Sequence, residues 1–353
     1  LVQSNSYFDL LVPSKYYNNL ATITNTNNTH TTNNKYLPTS CSHDCHSNSW
    51  FPFFKDGDMS ACGFQGSSTI NIDFDSGNSH YRCGHLAMTY TGLCILLALG
   101  DDLSRVNRKA LIEGVKALQT EEGNFAATLS GCESDMRFVY CAACISYILN
   151  DWSGFNVKRA TDYIINSIGY DYGIAQCPEL ESHGGTTFCA LATLSLTNQL
   201  DKLTEYQIER LKRWLLFRQI DGFQGRPNKP VDTCYSFWVG ASLKILDALH
   251  LSNYSNNRNY VYETQDYVVG GFSKWPDTCT DPMHTYLGLA GLSLIGENGL
   301  LEIVPTLNIT KRAHDHLKTL HEKWATIERE SNYNTKSLMV PCYCKYWRLQ
   351  LSS

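Results

Sequence analysis

Arg226-Pro-Asn-Lys-Pro-Val-Asp-Thr-Cys-Tyr-Ser-Phe-Trp238 places two cations, a carboxylate, a thiol and a phenol in thirteen residues, at the head of an apolar run with helical spacing. Asp232 and Cys234 can offer a hard oxygen and a soft sulfur to one zinc ion, but two ligands do not close a site. His284, in Asp281-Pro-Met-His284, opens the next apolar helix about one repeat downstream and is the candidate third ligand. Taken alone, Asp-x-Cys reads as a helix N-cap beside a buried thiol. The pattern of the whole chain decides against that reading.

The elements that must position these residues recur. A glycine followed closely by a large apolar side chain opens each unit: Gly63-Phe64, Gly123-Asn-Phe125, Gly173-Ile174, Gly222-Phe223 and Gly271-Phe272. The last four turns are about 50 residues apart, which is room for two helices and their loops. The first helix after each turn, over 86–99, 139–149, 187–196, 236–249 and 285–295, is apolar round most of its circumference and is expected to be buried on several sides. The second is amphipathic, as in Ser104 to Leu118 and Thr204 to Leu216, and belongs outside, with Ser104 and Thr204 as its expected N-caps. Inner helices alternating with outer ones predict an all-α ring of helix pairs around a central cavity. At matching places near the inner-helix starts stand His85, Asp135 with Arg137, His183, Asp232 with Cys234, and His284. Helix capping suits the two aspartates; it does not suit the histidines, the thiol or Arg137.

The chain of 353 residues is long enough for one large core. It has no run of about 18 apolar residues and opens Leu1-Val-Gln-Ser-Asn5 rather than on a charged and then apolar leader, so neither a membrane span nor secretion is expected. A net charge of −5 without a basic block argues against nucleic acid. The fourteen cysteines fall largely in helical wording such as Cys141-Ala-Ala-Cys144, which points to a reducing, cytoplasmic setting. Residues 1–60, with Asn and Thr crowding Asn18 to Asn34, are expected to be disordered or misannotated, 61–330 to form the ring, and 331–353 a loose tail. Cys41-Ser-His-Asp-Cys45-His46 lacks a second ligand pair at finger spacing, and Cys342 and Cys344 read as ordinary thiols.

In type and order these residues resemble the β subunits of protein prenyltransferases, in particular those of type I protein geranylgeranyltransferase. The resemblance spans about residues 61–325 and rests on Glu133-Ser-Asp-Met-Arg-Phe-Val-Tyr140, Glu181-Ser-His-Gly-Gly185, the Gly225 to Trp238 stretch and Gly270-Gly-Phe-Ser-Lys-Trp-Pro276. It implies an α/α toroid that, as a heterodimer with an α subunit, joins a prenyl group to the cysteine of a C-terminal Cys-aliphatic-aliphatic-X (CaaX) tail. Geranylgeranyl diphosphate would be the donor, with CaaX-tailed small GTPases among the acceptors. By the same resemblance Asp232, Cys234 and His284 hold one zinc per β subunit, leaving a fourth position for the substrate thiol. His183, Arg226, Lys229 and Tyr235 would bind the diphosphate, and Lys274 would join them where farnesyl-transferring relatives hold magnesium, so that magnesium is not required. The acceptor's last residue is expected near His85, Ala87 and Phe138, with Glu133 and Arg137 ordering the polar groups there. Tyr140 and Trp238 belong to an aromatic wall along the lipid. Two alternatives stand beside this reading, a farnesyltransferase β subunit and a toroid scaffold without catalysis. The second arises because the family's first helices fall on the Asn/Thr-rich segment, which also leaves closure of the ring open.

Overall fold

The computed structural model describes residues 59–65, 84–131 and 133–337. The Asn/Thr-rich segment, the Cys41 to His46 cluster and the tail thiols Cys342 and Cys344 lie outside the described residues. Within them, helices come in pairs: α1 (Leu86–Ala98) and α2 (Arg108–Leu118), α3 (Met136–Leu149) and α4 (Val157–Asn166), α5 (Gly184–Leu196) and α6 (Glu205–Leu216), α7 (Tyr235–Ile245) and α8 (Tyr254–Glu263). Then α9 (Pro282–Leu294), a hairpin of β3 (Ile303–Val304) and β4 (Ile309–Thr310), and the long α10 (Lys311–Ser337) follow. A second hairpin, β1 (Phe125–Ala126) with β2 (Ser134–Asp135), lies between α2 and α3. No helix among the described residues is long and apolar enough to cross a membrane.

Burial sorts the helices as their composition requires. Every residue of α3 except Arg137 and Tyr147 is buried, whereas α6 buries only Leu211, Trp214 and Leu215. The odd-numbered helices α1, α3, α5, α7 and α9 pack in succession and form the inner wall. Gly291 lets α9 approach α7, since a Cβ there would meet Ser236 Cβ at 2.6 Å. Outer helices start where a side chain can accept a first-turn N–H: Asn156 from Arg159, Asn253 from Asn256, and Thr204 from Gln207 in a full capping box. At α2 the expected cap shifts. Asn107, not Ser104, accepts from Ala110 N–H at 3.1 Å, because Asp102 accepts from Ser104 N–H in a preceding turn where Leu103 has φ 55°.

Between each outer helix and the next inner helix the chain makes the same pair of antiparallel bridges. Gln119 with Phe125, Ile168 with Ile174, Gln219 with Phe223 and Gln265 with Phe272 form the first bridge of four units. Ala126 with Ser134, Ala175 with Ser182, Gln224 with Val231 and Ser273 with Thr280 form the second. The large apolar residue of each turn is buried, and in three units its N–H donates to a threonine one turn into the inner helix: Phe64 to Thr89, Ile174 to Thr187 and Phe272 to Thr285, each at 2.9 Å. In those three units the residue after the glycine therefore acts as a nail that fixes the start of the inner helix.

The two ends of the described chain meet. Tyr90 Oη donates to Leu307 O at 3.0 Å, Arg312 to Ala98 O at 3.2 Å, and His316 Nε2 pairs with Asp101 O at 2.9 Å. Further along α10, His314 Nε2 lies 3.2 Å from Tyr147 Oη, His321 Nε2 pairs with Ile148 O at 3.1 Å, and the Arg108 guanidinium sits 4.1 Å over the Trp324 ring. The long helix thus satisfies carbonyls at the C-terminal ends of α1 and α3 that have no helical partner. It continues through residue 331, where the sequence places a loose tail, as far as Ser337.

Burial lowers the pKa of His314 and His321, with Lys318 and Arg108 respectively adding to the effect. A depressed folded-state pKa means the unfolded chain takes up protons first, so this stabilisation is complete above about pH 6.5 and is lost as the pH falls below it. We expect the double variant His314→Asn, His321→Gln to lose less thermal stability than wild type between about pH 7.5 and about pH 5.5. An equally steep decline of the two melting temperatures would place the acid sensitivity elsewhere.

Candidate active site

Four of the five inner helices start directly after His85, Asp135, His183 and Asp281, and the fifth, α7, starts three residues after Asp232, with Cys234 at its cap position. The side chain of each of these histidines and aspartates accepts a backbone N–H two or three residues on. His85 Nδ1 accepts from Ala87 at 3.2 Å, Asp135 from Arg137 at 2.9 Å, His183 Nδ1 from Gly185 at 3.0 Å, Asp232 from Cys234 at 3.0 Å and Asp281 from His284 at 2.9 Å. Capping therefore does include the histidines, contrary to the sequence expectation, because an unprotonated imidazole nitrogen accepts as a carboxylate oxygen does. This bond fixes the tautomer: Nδ1 bare, Nε2 carrying the proton. Burial, followed by the Arg226 charge, lowers the pKa of His183, which favours the neutral ring.

Asp232, Cys234 and His284 come together at adjacent starts, with donor atoms all within 4.8 Å of one another and all three side chains buried. His284 Nε2 stands 3.2 Å from Asp232 Oδ1 but in an orientation that makes no hydrogen bond, leaving it a buried nitrogen without a partner. Its Nδ1 is bound at 2.6 Å to Asp281 Oδ2. A ring held through one nitrogen by a carboxylate, with the other aimed at an oxygen and a sulfur, is how a histidine ligand is presented to a metal. Burial disfavours the imidazolium of His284, but Asp232 and Asp281 outweigh it and raise its pKa. Burial and then the Asp232 charge push the Cys234 thiol up strongly. Without a cation the trio is thus a poor fit to its own charges, and a borderline-soft divalent ion with oxygen, nitrogen and sulfur ligands suits it.

Cationic and hydroxyl groups gather beside the trio. His183 Nε2 donates to Tyr235 Oη at 2.9 Å, which leaves the phenolic proton to point elsewhere. Gly184 N–H donates to Gly225 O at 2.8 Å and Arg226 pairs with Glu181 at 2.6 Å, joining the two loops. Gly225 is required here, since a Cβ on it would fall 2.2 Å from Tyr235 Cζ. Lys229 is exposed on the turn that Arg226 opens, where Asn228 has φ 61°. Lys274 Nζ lies 3.6 Å from Asp232 Oδ2 and 4.4 Å over the Trp275 ring.

The residues assigned to the acceptor tail also cluster. His85 meets Phe138 edge-on with ring centroids 6.0 Å apart, and Arg137 lies 5.2 Å over the same ring while binding Glu133 and both oxygens of Asp135. Ala87 is half-buried on the first turn of α1, and Gln176 Nε2 adds a bond to Asp135 at 2.6 Å. Tyr140 and Trp238 line a mainly apolar cavity of about 460 Å³ together with Tyr90, Cys94, Tyr286 and Leu287. Tyr90, which holds Tyr140 by a 3.1 Å hydroxyl contact, carried no sequence signal beyond an aromatic on a buried helix. Asp281 was also missed, although its place three residues before His284 on a predicted helix was the available clue.

Inner helices wrapped by outer ones, opening at their N-terminal ends onto a buried oxygen, nitrogen and sulfur donor set, are the build of an α/α toroid transferase. A family model for the prenyltransferase alpha-alpha toroid domain matches residues 18–309, and the chain belongs to that family. It is 38% identical over 262 residues to the geranylgeranyl transferase type-1 subunit beta of Dictyostelium discoideum, covering 71% of this chain and 74% of that one. It is 40% identical over 266 residues to the subunit of the same name from Arabidopsis thaliana, covering 72% and 70%. A solved structure, Candida albicans protein geranylgeranyltransferase-I complexed with GGPP, is similar with a TM-score of 0.70 at 29% identity, covering 77% of this chain and 82% of the matched one.

The Asp281 contact yields a prediction that separates ligands from their support. Cys234→Ala should abolish zinc retention, read by elemental analysis, while helical content by circular dichroism stays near wild type. Asp281→Asn keeps the capping oxygen but removes the charge on His284 Nδ1, and should weaken zinc about 10-fold or more without a comparable loss of thermal stability. Full zinc occupancy in Cys234→Ala would rule out the trio.

Proposed function

We propose that the chain is the β subunit of a zinc-dependent, type I protein geranylgeranyltransferase that works in the cytoplasm as a heterodimer with an α subunit. It transfers a geranylgeranyl group from its diphosphate to the cysteine of C-terminal CaaX tails, on small GTPases and similar proteins. The observation that carries this reading is the placement of a buried Asp-Cys-His trio beside His183, Tyr235, Arg226 and Lys274, with an apolar cavity lined from the same inner helices. The cavity's size falls within the roughly 300–1,000 Å³ usual for small-molecule sites. An intact trio with its Asp281 support speaks against a toroid that serves only as a scaffold.

In this mechanism a sulfur–carbon bond forms as the carbon–oxygen bond to diphosphate breaks; the electron pair leaves with the diphosphate and the thiol proton goes to solvent. Asp232, Cys234 and His284 would hold the zinc, which when bound would supply a Lewis acid that lowers the pKa of the acceptor thiol. The chain's own groups act on the leaving side. Arg226 offers a forked pair of N–H donors with permanent charge, and Lys229 and Lys274 add compact ammonium groups. Tyr235, whose oxygen is occupied by the His183 Nε2–H, has its own proton available for a diphosphate oxygen. Such donors favour the transition state because negative charge grows on the leaving oxygens only as the bond breaks. His85, Phe138 and Arg137 form the wall against which the acceptor's last residue is placed.

Arg226→Ala should weaken prenyl diphosphate binding by about 10- to 100-fold, the equivalent of about 1.5–3 kcal/mol for a charge-assisted bond, with zinc content unchanged. Unchanged affinity and turnover would move the diphosphate to another place. Lys274 supplies a second test. On this reading the Lys274 ammonium supplies positive charge to the leaving diphosphate directly and leaves no need for a second divalent cation there. Turnover of the wild-type heterodimer should therefore be flat in magnesium, and Lys274→Asp should be slower yet stimulated by it. A wild-type requirement for millimolar magnesium would instead favour the farnesyltransferase reading.

A further inference from the structure

Behind the anion-binding loops lies a polar layer that the reaction does not touch. Asp171, on the turn between α4 and α5, accepts from Ser182 Oγ at 2.5 Å, from Trp214 Nε1 at 2.7 Å and from Gly173 N–H at 3.2 Å. Ser182 is 3% exposed and stands between Glu181, which holds Arg226, and His183, which holds Tyr235. Trp214 belongs to the outer helix α6. Just past the end of that helix the buried Arg218 lies 4.7 Å over the Trp214 ring and donates from Nε to Trp214 O at 3.2 Å. Arg218 O in turn accepts from Gln224 N–H at 2.8 Å, two residues before Arg226. The layer has little slack, since a Cβ on Gly173 would fall 2.5 Å from Ser182 Cβ and 2.6 Å from Trp214 Cε2.

We propose that Asp171, Trp214 and Arg218 are positioning residues that set the spacing of the two anion-binding loops from outside the ring. Asp171 fixes the 181–183 loop through Ser182, and Arg218 fixes the 224–226 loop through Gln224. Trp214 couples the two. The inference rests on the reading of Glu181, His183 and Arg226 as the surroundings of a diphosphate. Its physical basis is that donors stabilise a transition state only when they are held in place beforehand, and a loop residue is held by buried bonds from a rigid element. A half-buried carboxylate with three donors is suited to that task, because losing any one of its partners leaves a polar group of the packed turn unmet. Asp171 is also the acid whose field favours the buried Arg218 guanidinium against desolvation.

Trp214→Phe tests the relay with least damage, since it deletes the indole N–H and keeps an aromatic ring under Arg218. In the zinc-loaded heterodimer, calorimetric titration should show geranylgeranyl diphosphate and inorganic pyrophosphate each binding about fivefold to tenfold more weakly. KM for the prenyl diphosphate should rise in parallel, while zinc content and KM for the acceptor peptide stay at wild type. Combined with Arg226→Ala, the substitution should cost less than it does alone, because both act through the same contact. If Trp214→Phe lowers thermal stability but leaves both affinities unchanged, the layer is simple packing and the proposal is overturned. Should that variant not fold, Ser182→Ala breaks the same link from its other end and is judged by the same two affinities. Unchanged affinity in Arg226→Ala itself would refute the diphosphate reading, and the relay with it.

Discussion

The first-turn N–H groups of the inner helices are the constraint on which the rest of the structure depends. The starts of these helices are mostly half-buried, where a donor left bare still costs free energy, so each start brings its own acceptor. At four starts the acceptor is the cap residue itself, His85, Asp135, His183 or Asp281, and in the turn leading into α7 Asp232 holds the Cys234 N–H in the same way. Those residues are also the ones with chemistry to offer. Capping fixes which histidine nitrogen carries a proton and which carboxylate oxygen remains for other partners, so the local need of a helix sets the state of the site.

The repeat turns a local rule into a site. Successive inner helices pack side by side, so matching positions of neighbouring units come next to each other, and in three units the large apolar residue after the glycine is tied to the inner helix it precedes. Asp232 and His284 are 52 residues apart in sequence yet 3.2 Å apart in space because they open neighbouring units. His183 and Tyr235 are brought together in the same way, one unit earlier. None of these pairs needs a special loop.

Much of this was legible in the chain because it repeats. The glycine and aromatic turns, the apolar helices and the amphipathic ones announce a ring of pairs, and the thirteen residues from Arg226 to Trp238 carry the chemistry in plain order. What was not legible depends on geometry across units. Asp281 passes for an ordinary N-cap before Pro282 until its second oxygen is seen on His284. Ser104 and Asn107 are both good caps by type, and only the Asp102 turn decides between them. The histidine caps were excluded by a rule of residue preference, which ranks frequencies and is silent about a neutral imidazole in a buried place.

The spacing of the key pairs follows from the same bond. When a cap side chain holds the N–H two residues ahead, the residue that owns that N–H must leave the helix start beside the cap. Asp135 with Arg137 and Asp232 with Cys234 are both such pairs. In the first the neighbour is a guanidinium and the outcome is an ion pair that uses both carboxylate oxygens. In the second the neighbour is a thiol, a weak donor only, so Lys274 and His284 stand at 3.6 Å and 3.2 Å from the Asp232 carboxylate in a donor set that could hold a metal. Two residues after the cap, then, the choice of side chain decides whether a unit closes on itself or stays open to a ligand. At Asp281 the held N–H is three residues on, so the unit's side chain is turned by one position toward its neighbour. That brings the nitrogen of His284 back onto the oxygen and sulfur of the preceding unit, and a donor set of three is complete without any residue outside the repeat.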